Sequence, residues 1–385
     1  GVLESEVSDP TDSNIVKRVF APTERISTYI TAVLAGEYFT VTDTYKPQSI
    51  TNSGDIPLVA YCRHSLKPHF DYDNIFRVTK NGLDFFQDLF DYPYPYPKYE
   101  QAFVPEYNIG AMENPGLVTF TEDFIFVSGA TEDDLEGRAN TICHEMAHMW
   151  FGDLVTMKWW DDLWLKESFA DFMGALGAIE ANGFNDAWVT FANHRKSWAY
   201  LQDQLPTTHP IVADIPHLEA AAQNFDGITY AKGASTLKQL VSYVGFDTFI
   251  EAARVYFKRF AWGNTSLQDF LDVLNEVSGR DMQTWSQAWL QTSGLSTLGT
   301  RRVYREDGKL QDLYLTQQLP DTQPAGIGRP HVVKLETFIL QEEKLVSTGT
   351  LSLEYPADPI AEYRVSLPQE HKKTVGEADL LMLNA

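Results

Sequence analysis

The chain has 385 residues, which is long enough for two or three domains with well-packed cores. Its formal net charge of −23 argues against binding to nucleic acid or anionic membranes, which requires basic patches. Hydrophobic residues make up 44% of the chain, as in a soluble enzyme, and no run approaches the roughly 18 apolar residues of a membrane span.

The two cysteines, Cys62 and Cys143, are too few for a disulfide framework. The sequence also shows no signal peptide at its first residues. The low cysteine count predicts a protein of the reducing cytoplasm.

The first half of the chain alternates between predicted strands and helices. β-branched and aromatic residues dominate three segments that we predict to be strands: residues 26–42, 57–63 and 101–107. Residues 75–90 have the apolar spacing of a helix, which the prolines at 93, 95 and 97 end. We expect a mixed sheet with residues 117–121 near its edge.

Helices are predicted to prevail from residue 132 to about residue 291. Helical spacing of apolar residues marks four of them in the second half of this region: residues 232–243, 246–260, 266–276 and 282–291. After Gly294 the pattern changes to strict alternation, as in residues 332–340. That change predicts a separate β-sandwich domain.

The motif HEMAH occupies residues 144–148. A helix places positions i and i+4 on one face, so His144 and His148 point the same way. Together with Glu167 they supply two imidazoles and a carboxylate, three of the four ligands of a catalytic zinc site. Glu145 lies one residue round the helix, close enough to act as general base on the metal's water. The motif is typical of metalloproteases.

A five-residue pattern also arises by chance, as an ordinary pair of surface or core histidines. Two observations favour a metal site. Acidic residues from 132 to 136 favour the start of a helix, whose apolar faces predict burial, and buried polar groups need partners. Residues 164–171 also read as a helix, with Glu167 and Asp171 on one face. We therefore predict that Glu167 ligates the metal while Asp171 holds a ligand imidazole.

Five motifs occur in a fixed order, and through them the chain resembles the aminopeptidase N family of zinc metallopeptidases. They are KYEQAFVPEY (98–107), GAMEN (110–114), HEMAH with WFGDLVT (144–156), WWDDLWL before Glu167 (159–165) and TYAKGA (229–234). The resemblance covers nearly the whole chain, most tightly residues 92–240. It implies an α+β fold with a thermolysin-like catalytic domain, in which a mixed-sheet lobe faces a mainly helical lobe.

The resemblance also implies a domain division. Residues 1–50 correspond to the last strands of an N-terminal β domain, residues 51–293 to the thermolysin-like zinc peptidase domain, and residues 294–385 to a β-sandwich domain. We expect the chain to be a fragment of a bacterial enzyme, without most of the N-terminal domain and without a C-terminal helical domain. Such a fragment should fold but hydrolyse aminoacyl amides far more slowly than a complete enzyme.

The resemblance assigns the substrate-binding and catalytic residues. Glu113 would bind the free α-amine of a peptide, because a carboxylate attracts that cation. The remaining substrate-binding residues are Gly110, Ala111, Met112, Asn114 and Gln101. Tyr230 would stabilise the oxyanion. The implied protein is a monomeric aminopeptidase of class EC 3.4.11 with one Zn²⁺ per chain, acting on peptides with a free N-terminus.

Two alternatives use the same fold. An epoxide hydrolase with aminopeptidase activity, from a neighbouring branch, has a glycine-rich variant of the loop, whereas the AMEN sequence here favours peptides. A catalytically inactive binding module would be expected to have lost one of Glu145, Glu167 and Tyr230, all of which are present. Zinc over cobalt or manganese is a preference of the ligand types.

Overall fold

The computed structural model of the chain describes residues 1–12, 14–48, 54–323, 326–358 and 360–384. The chain forms two compact units. The first unit contains Gly1–His194 and Ile250–Val273, and the second contains Arg195–Phe249 and Leu274–Ala385. The division into three domains after residues 50 and 293 stays a prediction.

Eleven α-helices are found in the described residues. They are α1 (Tyr72–Phe90), α2 (Glu132–His148), α3 (Leu163–Glu180), α4 (Ala187–Phe191), α5 (Ser197–Gln202), α6 (Leu218–Gln223), α7 (Gly233–Val244), α8 (Phe246–Phe260), α9 (Leu267–Ser278), α10 (Met282–Trp289) and α11 (Gln369–Glu377). Among these helices, none combines the length and apolar character needed to cross a bilayer.

The strands of the described residues number fifteen. They are β1 (Leu3–Ser8), β2 (Val16–Phe20), β3 (Tyr38–Tyr45), β4 (Ile56–Arg63), β5 (Tyr99–Val104), β6 (Ala111–Met112), β7 (Val118–Thr121), β8 (Val155–Met157), β9 (Gly263–Thr265), β10 (Thr297–Tyr304), β11 (Leu310–Gln318), β12 (His331–Gln341), β13 (Lys344–Tyr355), β14 (Glu362–Val365) and β15 (Leu380–Asn384).

A five-stranded mixed sheet in the first unit has the order β3-β4-β5-β7-β6. The pairs β4–β5 and β5–β7 are parallel, and β3–β4 and β6–β7 are antiparallel. The predicted mixed sheet within an α+β fold is confirmed, and β7 lies next to the short strand β6 at one edge. Strand β3, in the segment predicted to end an N-terminal domain, pairs with β4 along its whole length.

The predicted strand at residues 26–42 is wrong over most of its length. Residues Thr28–Ile30 form a 3₁₀ turn, and the strand begins only at Tyr38. Val33 is 89% exposed, so this β-branched segment has no pleated, half-buried surface to lie on. Strand propensity expresses such packing more than a preference of the backbone itself.

Helices α2 and α3 pack against each other in the core of the first unit. A capping box starts α2: the Thr131 side chain accepts the Asp134 N–H, while Asp134 accepts the Thr131 N–H. In α3 every residue from Leu163 to Ala178 is buried. A Cβ atom at Gly177 would lie 3.0 Å from Cys143 Sγ, so the two helices meet where only a hydrogen fits.

The second unit has two antiparallel three-stranded sheets with the orders β10-β11-β14 and β13-β12-β15. Both sheets and α11 contribute to one hydrophobic core, which consists of Leu310, Leu313, Leu315, Val333, Leu335, Leu353, Tyr355 and Val375. Alternating inward residues of β11 and β12 account for the period-two pattern of the sequence. Assignment of this region to a family β-sandwich domain stays a prediction.

Substituting two helical glycines should have opposite effects on stability. A Cβ at Gly174 of α3 would lie 3.0 Å from the Asn140 carbonyl oxygen of α2, so Gly174→Ala should lower the free energy of unfolding by about 1–3 kcal/mol. A Cβ at Gly137 of α2 would have no neighbouring atom within 4 Å. Gly137→Ala should therefore raise the free energy of unfolding by about 0.5–1 kcal/mol.

Urea unfolding of both variants with a metal chelator present measures the two changes without a contribution from bound metal. A Gly174→Ala protein as stable as the unsubstituted chain would contradict the close approach of α2 and α3.

Candidate active site

The three side chains predicted to bind the metal meet between α2 and α3. His144 Nε2 lies 3.2 Å from His148 Nε2, and Glu167 Oε2 lies 3.6 and 3.3 Å from these two nitrogens. For zinc–ligand bonds of about 2.0–2.1 Å, tetrahedral geometry separates the ligand atoms by about 3.3 Å. The donor set and its spacing therefore fit a zinc ion.

A second group of donor atoms shares one histidine with the first. Glu113, Glu145 and His148 offer donor atoms that all lie within 4.8 Å of one another. This group has two carboxylates and one imidazole, a more oxygen-rich set than the first group. Of the two, the group with two imidazoles is the better match to the preference of zinc for nitrogen ligands.

Each imidazole of the first group is oriented through its other ring nitrogen. His148 Nδ1 lies 3.1 Å from the Phe151 carbonyl oxygen, and His144 Nδ1 lies 3.2 Å from Asp171 Oδ1. Both contacts place a proton on Nδ1, so Nε2 is the atom that each imidazole could offer to a metal. Asp171 thus lies where the sequence argument needed it, one helical turn after Glu167.

The charges around His144 favour its cationic form. Burial disfavours the imidazolium, but hydrogen bonds with Asp171 and Glu167 outweigh it and raise the pKa of His144 to about 10. The same carboxylates would favour a metal cation in this position.

Glu145 is 5% exposed, and its Oε2 atom has no hydrogen-bond partner among the described residues. Burial raises the pKa of the Glu145 carboxyl to about 8. An unpaired buried carboxyl oxygen is costly, which is typical of a functional group whose partner is a substrate or water. A carboxyl with a pKa near neutrality suits general acid–base work.

Lys166 is a central residue that the sequence argument missed. Its Nζ atom lies 2.7 Å from Glu113 Oε1 and 2.5 Å from Glu167 Oε1, and all three side chains are 4% exposed. Burial raises the pKa of Glu113, but the Lys166 ammonium outweighs it and holds that pKa below its usual range. Adjacent helical residues do not normally face each other, so sequence spacing gave no signal.

Glu113 follows the edge strand β6 in the GAMEN segment. Ala111 and Met112 pair with Phe120 and Thr119 of β7, and the Gly110 carbonyl accepts the Thr121 N–H at 2.9 Å. Asn114 Nδ2 donates to Thr119 Oγ1 at 3.0 Å. These bonds hold the segment on the sheet, so Glu113 has a fixed support.

Gln101 lies on β5 and is fully buried. Its Nε2 atom donates to Thr79 Oγ1 of α1 at 2.9 Å, so half of its amide is engaged inside the core. A role for Gln101 and Met112 in the pocket for the first side chain stays a prediction.

Tyr230 belongs to the second unit. It lies in a π-helical turn, Ile228–Lys232, that precedes α7. The Arg195 guanidinium lies 5.6 Å from the centroid of its ring. Its oxyanion role stays a prediction.

Asp153 is a second residue to which the sequence argument gave no role. Burial raises the pKa of its carboxyl well above the usual range, and neither oxygen has a hydrogen-bond partner among the described residues. The backbone N–H of Asp153 donates to the His148 carbonyl at 3.0 Å, and this bond fixes the C-terminal end of α2.

Residues 75–289 match the model of the peptidase family M1 domain. The chain is 51% identical over 328 residues to "Aminopeptidase N" of Streptomyces lividans, which covers 83% of this chain and 38% of that protein. It is 35% identical over 317 residues to "Tricorn protease-interacting factor F2" of Thermoplasma volcanium, covering 80% of this chain and 37% of that protein.

A "Leucyl aminopeptidase" of Saccharolobus solfataricus is 33% identical over 276 residues, covering 71% of this chain and 34% of that protein. The chain thus spans between a third and two fifths of the length of these relatives. The M1 match includes α2, α3, the π-helical turn and every metal-ligand candidate. The resemblance drawn from the five motifs is confirmed, and the chain belongs to peptidase family M1, as an aminopeptidase N family metallopeptidase.

Proposed function

We propose that this chain carries the catalytic site of a zinc-dependent aminopeptidase, with His144, His148 and Glu167 as the zinc ligands. The observation that carries the proposal is the convergence of these three donor atoms, 3.2–3.6 Å apart, beside the unpaired Glu145 carboxyl. The aminopeptidase names of its relatives support the same reaction class.

A bound zinc ion would supply Lewis-acid polarisation of the scissile carbonyl and lower the pKa of a water molecule. Glu145 would take the proton of that water and pass it to the leaving amine. Its burial keeps the carboxyl out of bulk solvent and its pKa near neutrality, which suits both transfers. Tyr230 would donate a hydrogen bond to the oxyanion that forms on the scissile carbonyl.

Glu113 would bind the α-ammonium of the substrate. Lys166 occupies Glu113 Oε1, so the other oxygen is the one assigned to the substrate's amine. The ammonium of Lys166 also keeps Glu113 ionised in spite of its burial. An exopeptidase of this type requires a free amine at this position, whereas an endopeptidase does not. The proposed substrates are therefore peptides with a free N-terminus. A monomeric state stays a prediction from the resemblance, and a cytoplasmic location stays a prediction from the low cysteine count.

Glu145→Gln should abolish turnover while leaving metal binding intact. The amide has the shape of the carboxyl but cannot accept a proton, so kcat for a chromogenic aminoacyl amide should fall by at least about 100-fold. Zinc content after dialysis, measured by atomic absorption, should stay at one per chain.

The matched control is His148→Ala, which removes a ligand and should lose zinc and activity together. Near-normal turnover by zinc-replete Glu145→Gln would contradict the assigned base, and stoichiometric zinc in His148→Ala would contradict the ligand set.

Glu113→Ala should weaken binding of ligands with a free N-terminal amine far more than binding of their acetylated counterparts. The reason is that only the ammonium interacts with the carboxylate. Inhibition constants of one peptide in its free and acetylated forms measure the difference. Equal losses for both forms would show that Glu113 does not bind the amine.

Tyr230→Phe should lower kcat by about 100-fold with a smaller change in KM, because an oxyanion donor acts chiefly in the transition state. Steady-state kinetics of the zinc-replete variant provide the test. A change confined to KM would assign Tyr230 to substrate binding instead.

A further inference from the structure

Tyr230 lies on an uncommon piece of backbone. The Lys232 N–H donates to the Gly227 carbonyl at 2.9 Å, the i→i+5 pattern of a π-helix. Such single π turns are rare and occur often at functional sites. Since this geometry is less favourable than an α-helix, neighbouring groups must hold it.

A partly buried carboxylate holds the start of the turn. Asp226 Oδ1 accepts the N–H groups of Ile228 and Thr229, each at 3.0 Å. Asp226 Oδ2 accepts Gln202 Nε2 at 2.6 Å and lies 2.9 Å from His209 Nε2. Both oxygens of this carboxylate are therefore engaged.

Gln202 and His209 complete the network at the start of the turn. The other amide atom of Gln202, Oε1, accepts the Gly227 N–H at 2.7 Å. The hydrogen bond with Asp226 raises the pKa of His209, whose Nδ1 lies 2.7 Å from the Pro210 carbonyl oxygen. As an imidazolium, His209 donates from both ring nitrogens.

A second ion pair holds the end of the turn. Lys232 Nζ lies 2.8 Å from Asp203 Oδ2, and these side chains are 9% and 0% exposed. The other oxygen of Asp203 accepts Thr208 Oγ1 at 2.7 Å and the Gly294 N–H at 3.0 Å. One short segment, residues 202–209, thus reaches both ends of the turn that carries Tyr230.

We propose that Gln202, Asp203, His209, Asp226 and Lys232 form a clamp that positions the Tyr230 phenol for catalysis. The clamp rests on the proposed function, in which Tyr230 is the oxyanion donor. Its members are positioning residues, which act through Tyr230 and do not touch the substrate. Loosening the clamp should therefore lower kcat more than it changes KM, because a displaced donor acts less well in the transition state.

Asp226→Asn is the most selective change. The remaining Oδ1 can still accept the N–H groups of Ile228 and Thr229, whereas the new amide cannot accept from Gln202 and His209. The expected result is a fall in kcat of about 10- to 100-fold with KM within about twofold. In a Tyr230→Phe background the same change should lower kcat by less than about twofold, since both act through one hydroxyl.

The matched control is Asp281→Asn. Asp281 also lies before a helix of the second unit, where its Oδ1 accepts the Thr284 N–H at 3.0 Å, but that helix is α10, which does not carry Tyr230. Asp281→Asn also changes a carboxylate that caps a helix, so it controls for the loss of such a cap away from Tyr230. Asp281→Asn should keep the kcat of the unsubstituted chain.

A spectroscopic measurement needs neither zinc nor turnover. When 3-fluorotyrosine is incorporated only at position 230, its ¹⁹F resonance in the metal-free chain reports the local environment of this ring. Asp226→Asn should shift or broaden the resonance, and Asp281→Asn should not. If Asp226→Asn fails to fold, His209→Gln replaces it, with a change in the same direction for kcat and for the resonance.

Unchanged kcat and an unchanged resonance in the folded Asp226→Asn or His209→Gln variant would overturn the clamp. Fully additive losses with Tyr230→Phe would overturn it as well, because they would show action by another route. A Tyr230→Phe variant with unchanged kcat would instead overturn the oxyanion role and with it the catalytic purpose of the clamp. In that case the ¹⁹F resonance at position 230 still shows whether the clamp residues hold the Tyr230 ring in place.

Discussion

The close approach of α2 and α3 decides where the charged groups of the site meet. Gly174 and Gly177 leave no room for a side chain between the two helices. As a result, the two imidazoles on α2 lie against the carboxylate on α3, with donor atoms 3.2–3.6 Å apart. Because α3 is buried on nearly every side, it is held rigidly in place. Rigid helices position the donor atoms more precisely than loops would.

Charge compensation around this contact extends from the metal-ligand candidates to the GAMEN segment. Lys166 links Glu167 on α3 with Glu113 beyond the edge strand β6 through two short ion pairs. Four carboxyl groups, those of Glu113, Glu145, Asp153 and Glu167, are 5% exposed or less. Lys166 pairs with Glu113 and Glu167, the two whose pKa values are held low, whereas burial favours the protonated forms of Glu145 and Asp153.

Local sequence rules predicted the parts of the site that depend on helical periodicity. Helical spacing placed His144 and His148 on one face of one predicted helix, and Glu167 and Asp171 on one face of another. The rules failed for Lys166, because its partner Glu113 follows strand β6, far away in the sequence, and its other partner, Glu167, is its own neighbour in the chain. They also failed at Val33, where strand-forming residues lie exposed. The π turn of Tyr230 was missed because its hydrogen-bond partners at residues 202–209 are brought to it only by the tertiary fold.

The central claim is that His144, His148 and Glu167 form the zinc site, and one crystallographic measurement tests it most directly. Anomalous scattering at the zinc edge from crystals of the zinc-loaded chain locates the ion without reference to activity. The account predicts one ion within about 2.0–2.2 Å of His144 Nε2, His148 Nε2 and a Glu167 oxygen. An ion bound instead by Glu113, Glu145 and His148, or no ion between α2 and α3, would contradict it.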